Sequence, residues 1–172
     1  MPHINIEIKA KHENITFVRN YLKEQKADFK GIDHQIDTYF QSSNGRLKLR
    51  EGNIENHLIF YERNNQAGPK QSDVILFDNT PGSSLKEILT KSIGTKVIVD
   101  KKREIYFIEN VKFHVDEVKG LGNFIEIEAI ADNGNISREK LLEQCNYYME
   151  QLQIKSENLL TNSYSDMLLE KK

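Results

Sequence analysis

The sequence has little of several residue types, and each shortage excludes a class of structure. Cys145 is the only cysteine among 172 residues, so neither an internal disulfide nor a metal cluster built from cysteines alone is possible. No apolar run approaches the roughly 18 residues that a membrane-spanning helix needs. Neither sign of charge predominates, because 24 lysines and arginines stand against 26 aspartates and glutamates. This balance argues against a duplex-DNA binder, whose domain is normally strongly basic.

The composition that remains is typical of a folded globular protein. Hydrophobic residues make up 38% of the chain and charged residues 29%, and the length suits one domain with a sizeable core. The N-terminal stretch has no features of a secretory signal. We therefore expect a single domain over residues 1–172, in a cytoplasmic protein that is a monomer or a homodimer and has no membrane partner.

Strand patterns dominate the first two thirds of the chain. Residues 4–11 alternate strictly, with aliphatic side chains at even numbers and polar side chains at odd numbers. Residues 46–50 alternate as well, with a cation at every second position. Further strands are predicted at residues 57–63, 95–108, 111–118 and 123–130.

Helices are fewer, and each longer one follows a residue suited to cap it. Asn14 is predicted to cap a helix over residues 14–26, and Ser137 a helix over residues 137–152. Ser83 or Ser84 is predicted to open a third helix that stops at Gly94. Two short helical segments are predicted at residues 156–160 and 164–169. Because most strands follow one another without a helix between them, the pattern indicates an α+β fold with an antiparallel sheet.

The charges on the polar faces of these strands carry the functional signal. Taken singly, such a strand is typical of a half-buried sheet whose polar side faces water. Taken together, cation-rich strands stand beside a strand that carries Glu126 and Glu128. A sheet that closes into a barrel would bring these faces together in its lumen and leave the aliphatic faces beneath the helices. Such a lining suits a polyanion bound with a divalent metal.

Six stretches, in order along nearly the whole chain, carry a resemblance to a known family. They are Asn5-Ile6-Glu7-Ile8-Lys9, Asp37-Thr38-Tyr39-Phe40, Leu47-Lys48-Leu49-Arg50, Lys101-Lys102-Arg103, the run from Asp116 through Gly120-Leu121-Gly122 to Glu126-Ile127-Glu128, and Ser163-Tyr164-Ser165-Asp166-Met167-Leu168. The sequence resembles the CYTH family, the triphosphate tunnel metalloenzymes that include class IV adenylyl cyclases and thiamine triphosphatases.

The resemblance implies an eight-stranded antiparallel closed β-barrel with amphipathic helices on its outside, and a small-molecule triphosphate or polyphosphate bound with Mg²⁺ or Mn²⁺. It implies catalytic roles for Glu7 and Lys9. Arg63 is expected in the lumen, although a shift of one residue would place Glu62 there instead. The expected metal ligands are Glu7, Asp116, Glu126 and Glu128. The expected phosphate-binding residues are Lys9, Lys48, Arg50, Arg63, Lys101 and Arg103.

One position departs from the family pattern, because Asn5 stands where the family has its first glutamate. The sequence has no unambiguous adenine-reading motif, so hydrolysis of a triphosphate is the leading expectation and a class IV adenylyl cyclase the alternative. Asn5 adds a triphosphate-binding protein without turnover as the third possibility. His114 shares strand parity with Asp116, so it is either a ligand or a hydrogen-bonded wall residue. Tyr39, Tyr61 and Tyr106 are expected in the core, with stacking on a base as the alternative.

Overall fold

Antiparallel strands make up most of the chain. The computed structural model describes residues 3–63, 65–131 and 135–171. A turn signal at residues 132–134 lies outside them. In the described part the strands are β1 (His3–Lys11), β2 (Asp28–Phe40), β3 (Arg46–Glu51), β4 (Asn56–Arg63), β5 (Lys70–Asp78), β6 (Thr95–Ile108), β7 (Val111–Val118) and β8 (Gly122–Ala131).

The strands of the described residues form a closed barrel in the order β1-β5-β4-β3-β2-β6-β7-β8. β8 pairs with β1, and every pairing is antiparallel. Closure satisfies the backbone hydrogen bonds of strands that would otherwise be sheet edges. The predicted α+β barrel is therefore confirmed.

The helices lie between and after the strands, and their starting residues explain where they begin. They are α1 (Ile15–Glu24), α2 (Leu85–Ser92), α3 (Arg138–Gln151) and α4 (Tyr164–Glu170), with a 3-10 turn at Ser156–Asn158. The Asn14 side chain accepts a hydrogen bond from the backbone N–H of Phe17, and Ser137 accepts one from Lys140. Both predicted caps are confirmed. Within the described residues, no helix has the length and apolar character to cross a membrane.

A hydrophobic core lies between the outer face of the barrel and the two longer helices. Ile6 and Ile8 of β1 are buried there with Leu22 of α1 and Leu141 of α3. This is the predicted arrangement, with the aliphatic faces of the strands beneath amphipathic helices. In contrast, α2 has no buried residue, and Ile88 of its apolar stripe is 58% exposed.

A second core forms at the end of the barrel where α4 packs. Tyr164, the first residue of α4, contacts the lumen-facing Phe124 with ring centroids 5.0 Å apart. Arg46 of β3 anchors this helix by donating to Ser163 Oγ at 2.6 Å and lying 2.9 Å from Asp166. These contacts place the Tyr164 side chain among the residues that line the lumen.

The alternation pattern missed β5 and the first part of β2. In β2 the burial is reversed, since the inward Asp33 and Gln35 are buried while the outward Ile32 is 57% exposed. In β5 the apolar run that ends in Phe77 is largely exposed. A pattern search that assigns apolar residues to the buried face cannot find a strand whose buried face is polar.

Candidate functional site

The lumen of the barrel is lined by alternate residues of its strands, because successive side chains of a strand point to opposite faces. On β1 these are the polar residues Asn5, Glu7 and Lys9. The described residues that line the lumen include many cations and many carboxylates. The cations are Lys9, Lys48, Arg50, Arg63, Lys101, Arg103 and Lys112, and the carboxylates are Glu7, Asp37, Glu55, Glu126 and Glu128.

One set of these charges is closely paired, and we call Asp37, Lys48, Arg50 and Lys101 the Asp37 group. Arg50 donates to both carboxylate oxygens of Asp37 at 2.9 Å, and Lys101 donates to Oδ2 at 2.7 Å. Lys48 Nζ lies 3.5 Å from the same oxygen. Burial alone would raise the pKa of Asp37, but Arg50, Lys101 and Lys48 hold it well below its usual range.

Arg103 and Asp116 form a second buried pair. Arg103 donates to both oxygens of Asp116 at 2.8 and 2.7 Å, and the Tyr164 hydroxyl donates to Oδ2 at 2.8 Å. Burial opposes ionisation of Asp116, but the Arg103 guanidinium lowers its pKa. The structure thus places the Asp116 carboxylate against Arg103, which is a predicted phosphate-binding residue. Its predicted role as a metal ligand stays a prediction.

The Glu128 group, as we call Asn5, His114, Glu126 and Glu128, is paired much less completely. One potential ligand atom from each of His114, Glu126 and Glu128 lies within 4.8 Å of the others. Asn5 Nδ2 donates to Glu128 Oε1 at 2.5 Å, while Asn5 Oδ1 and both ring nitrogens of His114 find no hydrogen-bond partner among the described residues.

The acid–base properties of the Glu128 group follow from burial and from its neighbours. The pKa of Glu128 is raised to about 7, chiefly by burial; Lys112 lowers it, and Glu7 and Glu126 add to the rise. Burial also raises the pKa of Glu126, but the charges of Lys9 and Arg103 hold it well below its usual range. Burial lowers the pKa of His114 to about 4, with help from Arg103.

The two predicted catalytic residues are both in the lumen and both have partners. Arg63 donates to Glu7 Oε1 at 2.6 Å, so Arg63 faces the lumen while Glu62 is exposed. Lys9 Nζ lies 3.5 Å from Glu126 Oε2 and 3.7 Å from the ring centre of Tyr164. Burial lowers the pKa of Lys9, an effect that Glu126 opposes.

The structure adds lining residues that the sequence analysis did not select. Asp37 and Lys112 share the strand parity of selected neighbours, so parity was an available signal for both. Glu55 precedes β4 in a turn and had no such signal, yet it contacts Lys112 at 2.5 Å and Arg50 at 3.3 Å.

Among the tyrosines, Tyr39 and Tyr61 line the lumen with their hydroxyls 3.4 Å apart.

Tyr106, the remaining tyrosine considered for base stacking, is not brought to the site. Its hydroxyl donates to Glu104 at 2.8 Å, and its ring packs against Phe29 on the outside of the barrel. Tyr106 therefore belongs to the outer face of the barrel and does not line the lumen.

Comparison with known proteins identifies relatives that resemble this chain in sequence and in fold. The chain is 28% identical to a Methanocaldococcus jannaschii protein, MJ0240, that is named as a candidate adenylate cyclase; the match covers 95% of this chain and 98% of the relative. The fold matches the PH1012 protein of Pyrococcus horikoshii with a TM-score of 0.78 and 23% identity, over 94% of this chain and 98% of that one.

A plant protein has the same fold at greater sequence distance. It is a candidate adenylyl cyclase from Hippeastrum, described as having a dominant triphosphatase activity, with a TM-score of 0.66 and 13% identity over 99% of this chain and 96% of that one. The model of the CYTH domain matches residues 3–164, which includes all eight strands of the barrel. The protein belongs to the CYTH family.

Proposed function

We propose that this protein is a metal-dependent enzyme that binds a triphosphate in the lumen and hydrolyses it. The observation that carries the proposal is the lining itself, in which seven cations and five carboxylates converge inside one barrel. Lys9 and Lys48 are loosely paired cations, since each ammonium lies 3.5 Å from a carboxylate oxygen. A bound polyanion would give them closer partners, and both arginine and lysine are suited to phosphate oxygens.

The cations are already in place for such a ligand. Lys101 and Arg50 are buried and oriented by Asp37, so little side-chain entropy would be lost when they bind phosphate. Lys48 is the least constrained of the Asp37 group, because its ammonium lies 3.4 Å from the Tyr39 hydroxyl and 3.5 Å from Asp37. Lys48 is therefore the cation that we expect to move most readily to a ligand.

The residues present also suit a divalent cation. Glu126 and Glu128 offer carboxylate oxygens, the ligands that Mg²⁺ and Mn²⁺ prefer, and the buried Asn5 Oδ1 beside them lacks a partner among the described residues. Glu7 lies directly opposite Glu128 in the register between β1 and β8. A bound cation would neutralise charge on the phosphate oxygens.

The roles of the chain's own residues follow from these positions. In hydrolysis a water oxygen attacks the terminal phosphorus, and the bond from that phosphorus to the bridging oxygen breaks. Lys9, Arg63 and Arg103 would stabilise the charge that develops on the leaving phosphate. Glu7 is the acceptor that we assign to orient the attacking water.

A class IV adenylyl cyclase is the second candidate, and one part of the lining favours it. The side of the lumen formed by β4 and β5 presents Ile59, Tyr61, Val74 and Leu76, and the hydroxyl of Tyr39 from β2 lies 3.4 Å from that of Tyr61. An apolar and aromatic wall suits an organic group attached to the triphosphate, which inorganic tripolyphosphate lacks. The Methanocaldococcus jannaschii relative, named as a candidate adenylate cyclase, agrees with this alternative.

A triphosphate-binding protein without turnover is the third candidate, and it rests on Asn5. An amide at this position offers an oxygen but no negative charge, and here its nitrogen donates to Glu128. If metal binding were too weak for catalysis, the variant Asn5→Glu should restore turnover.

Product analysis separates these three functions. The protein is incubated with ATP, thiamine triphosphate or tripolyphosphate and either Mg²⁺ or Mn²⁺, and the products are resolved by chromatography. Orthophosphate is the expected product. Cyclic AMP with pyrophosphate would replace the proposal by the cyclase, and binding without any product would replace it by the third candidate.

Two sets of variants test the site. The Glu126→Ala, Glu128→Ala double variant is expected to lose turnover and metal binding, and undiminished activity would contradict the metal assignment. Lys48→Met is expected to weaken triphosphate binding, whereas Lys102→Met is not, because Lys102 is exposed on the outer face of β6. Circular dichroism spectra identify variants that have lost the fold.

A further inference from the structure

We propose that His114 is a nitrogen ligand of the cation in the lumen, acting with Glu126 and Glu128, and that this mixed donor set makes the protein select Mn²⁺ over Mg²⁺. The inference rests on the proposed function in that it concerns the same lumen. It goes further, because it adds a ligand of a different chemical type and states which cation the site prefers.

Strand register brings the three side chains together. His114 of β7 lies directly opposite Glu126 of β8, so both side chains point to the lumen face, and Glu128 follows two residues later on that same face. The potential ligand atoms of the three residues all lie within 4.8 Å of one another. This spacing is small enough for one cation to reach an atom of each after minor side-chain adjustment.

The hydrogen bonding of His114 is unusual for a buried histidine. The residue is 1% exposed, yet neither ring nitrogen has a hydrogen-bond partner among the described residues. Nδ1 lies 3.6 Å from Glu126 Oε2, which is beyond hydrogen-bond distance. A buried polar group left without a partner is unfavourable, so the arrangement is explained if a ligand completes it.

The same conclusion follows from Asn5 at the edge of the cluster. Asn5 is 3% exposed, and its Oδ1 also lacks a partner among the described residues. Its Nδ2 donates to Glu128 Oε1 and so holds that carboxylate beside His114. Two neighbouring residues therefore present unsatisfied lone pairs next to the same two carboxylates.

The donor atoms determine which cation is preferred. Mg²⁺ binds mainly oxygen ligands and keeps several water molecules, whereas an imidazole nitrogen suits first-row transition metals. Mn²⁺ shares with Mg²⁺ a preference for carboxylates, but as a first-row transition metal it accepts an imidazole nitrogen more readily than Mg²⁺ does. A site with two carboxylates and one imidazole should therefore discriminate between two cations that an all-carboxylate site would treat more alike.

Electron spin-echo envelope modulation of the Mn²⁺-loaded protein tests the ligand directly. We expect the modulation of a coordinated imidazole nitrogen, and we expect it to change when the histidines are labelled with ¹⁵N. The measurement uses the unmodified sequence, so it does not depend on whether a variant folds. Absence of histidine nitrogen coupling in Mn²⁺-saturated protein would overturn the proposal.

Calorimetric titration with Mn²⁺ alone and with Mg²⁺ alone tests the selectivity. We expect Mn²⁺ to bind at least about tenfold more tightly, and His114→Gln to lower the Mn²⁺ affinity about tenfold or more while changing the Mg²⁺ affinity little. The matched control is His34→Gln, because His34 lies outside the lumen and pairs with Asp100 at 2.7 Å. Equal loss of both metals in His114→Gln, or no loss of either, would contradict the selectivity.

These outcomes are distinct from failure of the proposed function. Turnover of a triphosphate without histidine nitrogen coupling would retain the function and reject the ligand. Histidine nitrogen coupling in a protein that turns over no triphosphate would retain the ligand and reject the function.

Discussion

The Asp37 group and the Glu128 group lie in the same lumen but differ in how completely their charges are paired. Asp37 accepts three hydrogen bonds from Arg50 and Lys101, and its cations hold it ionised. Glu128 accepts a hydrogen bond from a neutral amide, and no cation of the described residues is paired with it; burial, with the charges of Glu7 and Glu126, raises its pKa to about 7. The cost of burying charge is thus compensated by paired cations in the first group and much less completely in the second.

The largest expected effect comes from breaking the paired group. Asp37→Ala leaves Arg50 and Lys101 buried without their shared carboxylate, so we expect the free energy of unfolding to fall by about 3–5 kcal/mol. Urea denaturation followed by circular dichroism measures the change. A loss below about 1 kcal/mol would mean that the pairing contributes little to stability.

Acidification should lower the stability that the Asp37 group contributes, even in the unmodified protein. Because the pKa of Asp37 is depressed in the folded protein, its contribution is complete above the unfolded value near 3.8 and is lost as the pH falls below it. Asp116 and Glu126 have depressed pKa values as well and add to the loss. Denaturation midpoints should fall between about pH 4 and pH 2 in the unmodified protein and less steeply in Asp37→Asn.

The Glu128 group should respond in the opposite direction. The pKa of Glu128 is raised from 4.5 to about 7, so the folded state loses stability relative to the unfolded chain as the pH rises through this interval. In metal-free protein above pH 7, Glu128→Gln should therefore increase the free energy of unfolding by about 1–3 kcal/mol. Below pH 4.5 the unmodified protein and Glu128→Gln should be equally stable. If Glu128→Gln were less stable than the unmodified protein above pH 7, the Glu128 group would not differ from the Asp37 group in how its charge is compensated.

The smallest effect is expected where a charge pair lies in water. Lys91 and Glu87 of α2 are 3.1 Å apart, and their side chains are 77% and 69% exposed. Lys91→Ala should lower the free energy of unfolding by about 0.3–0.5 kcal/mol, since solvent screens such pairs. Thermal unfolding of this variant beside Asp37→Ala measures the difference between an exposed and a buried ion pair.

The sequence was sufficient to predict the barrel and most of its lining. Strict alternation in β1 assigned Glu7 and Lys9 to one face and Ile6 and Ile8 to the other, and the structure has them so. Glu55 could not be predicted, because it reaches the lumen from a turn and has no strand parity. His114 was identified only as a ligand or a wall residue, because strand parity indicates the face of a side chain but not its partners.

Local sequence thus determined which side chains share a face, since the period of a strand depends on backbone geometry alone. Only the tertiary structure decided which faces meet. Pairing of β2 with β3 and β6 brought Arg50 and Lys101 to Asp37, and pairing of β1 with β8 brought Asn5 to Glu128. Pairing between charges depends on distances of a few ångströms across neighbouring strands, and these distances exist only once the strands have paired in register.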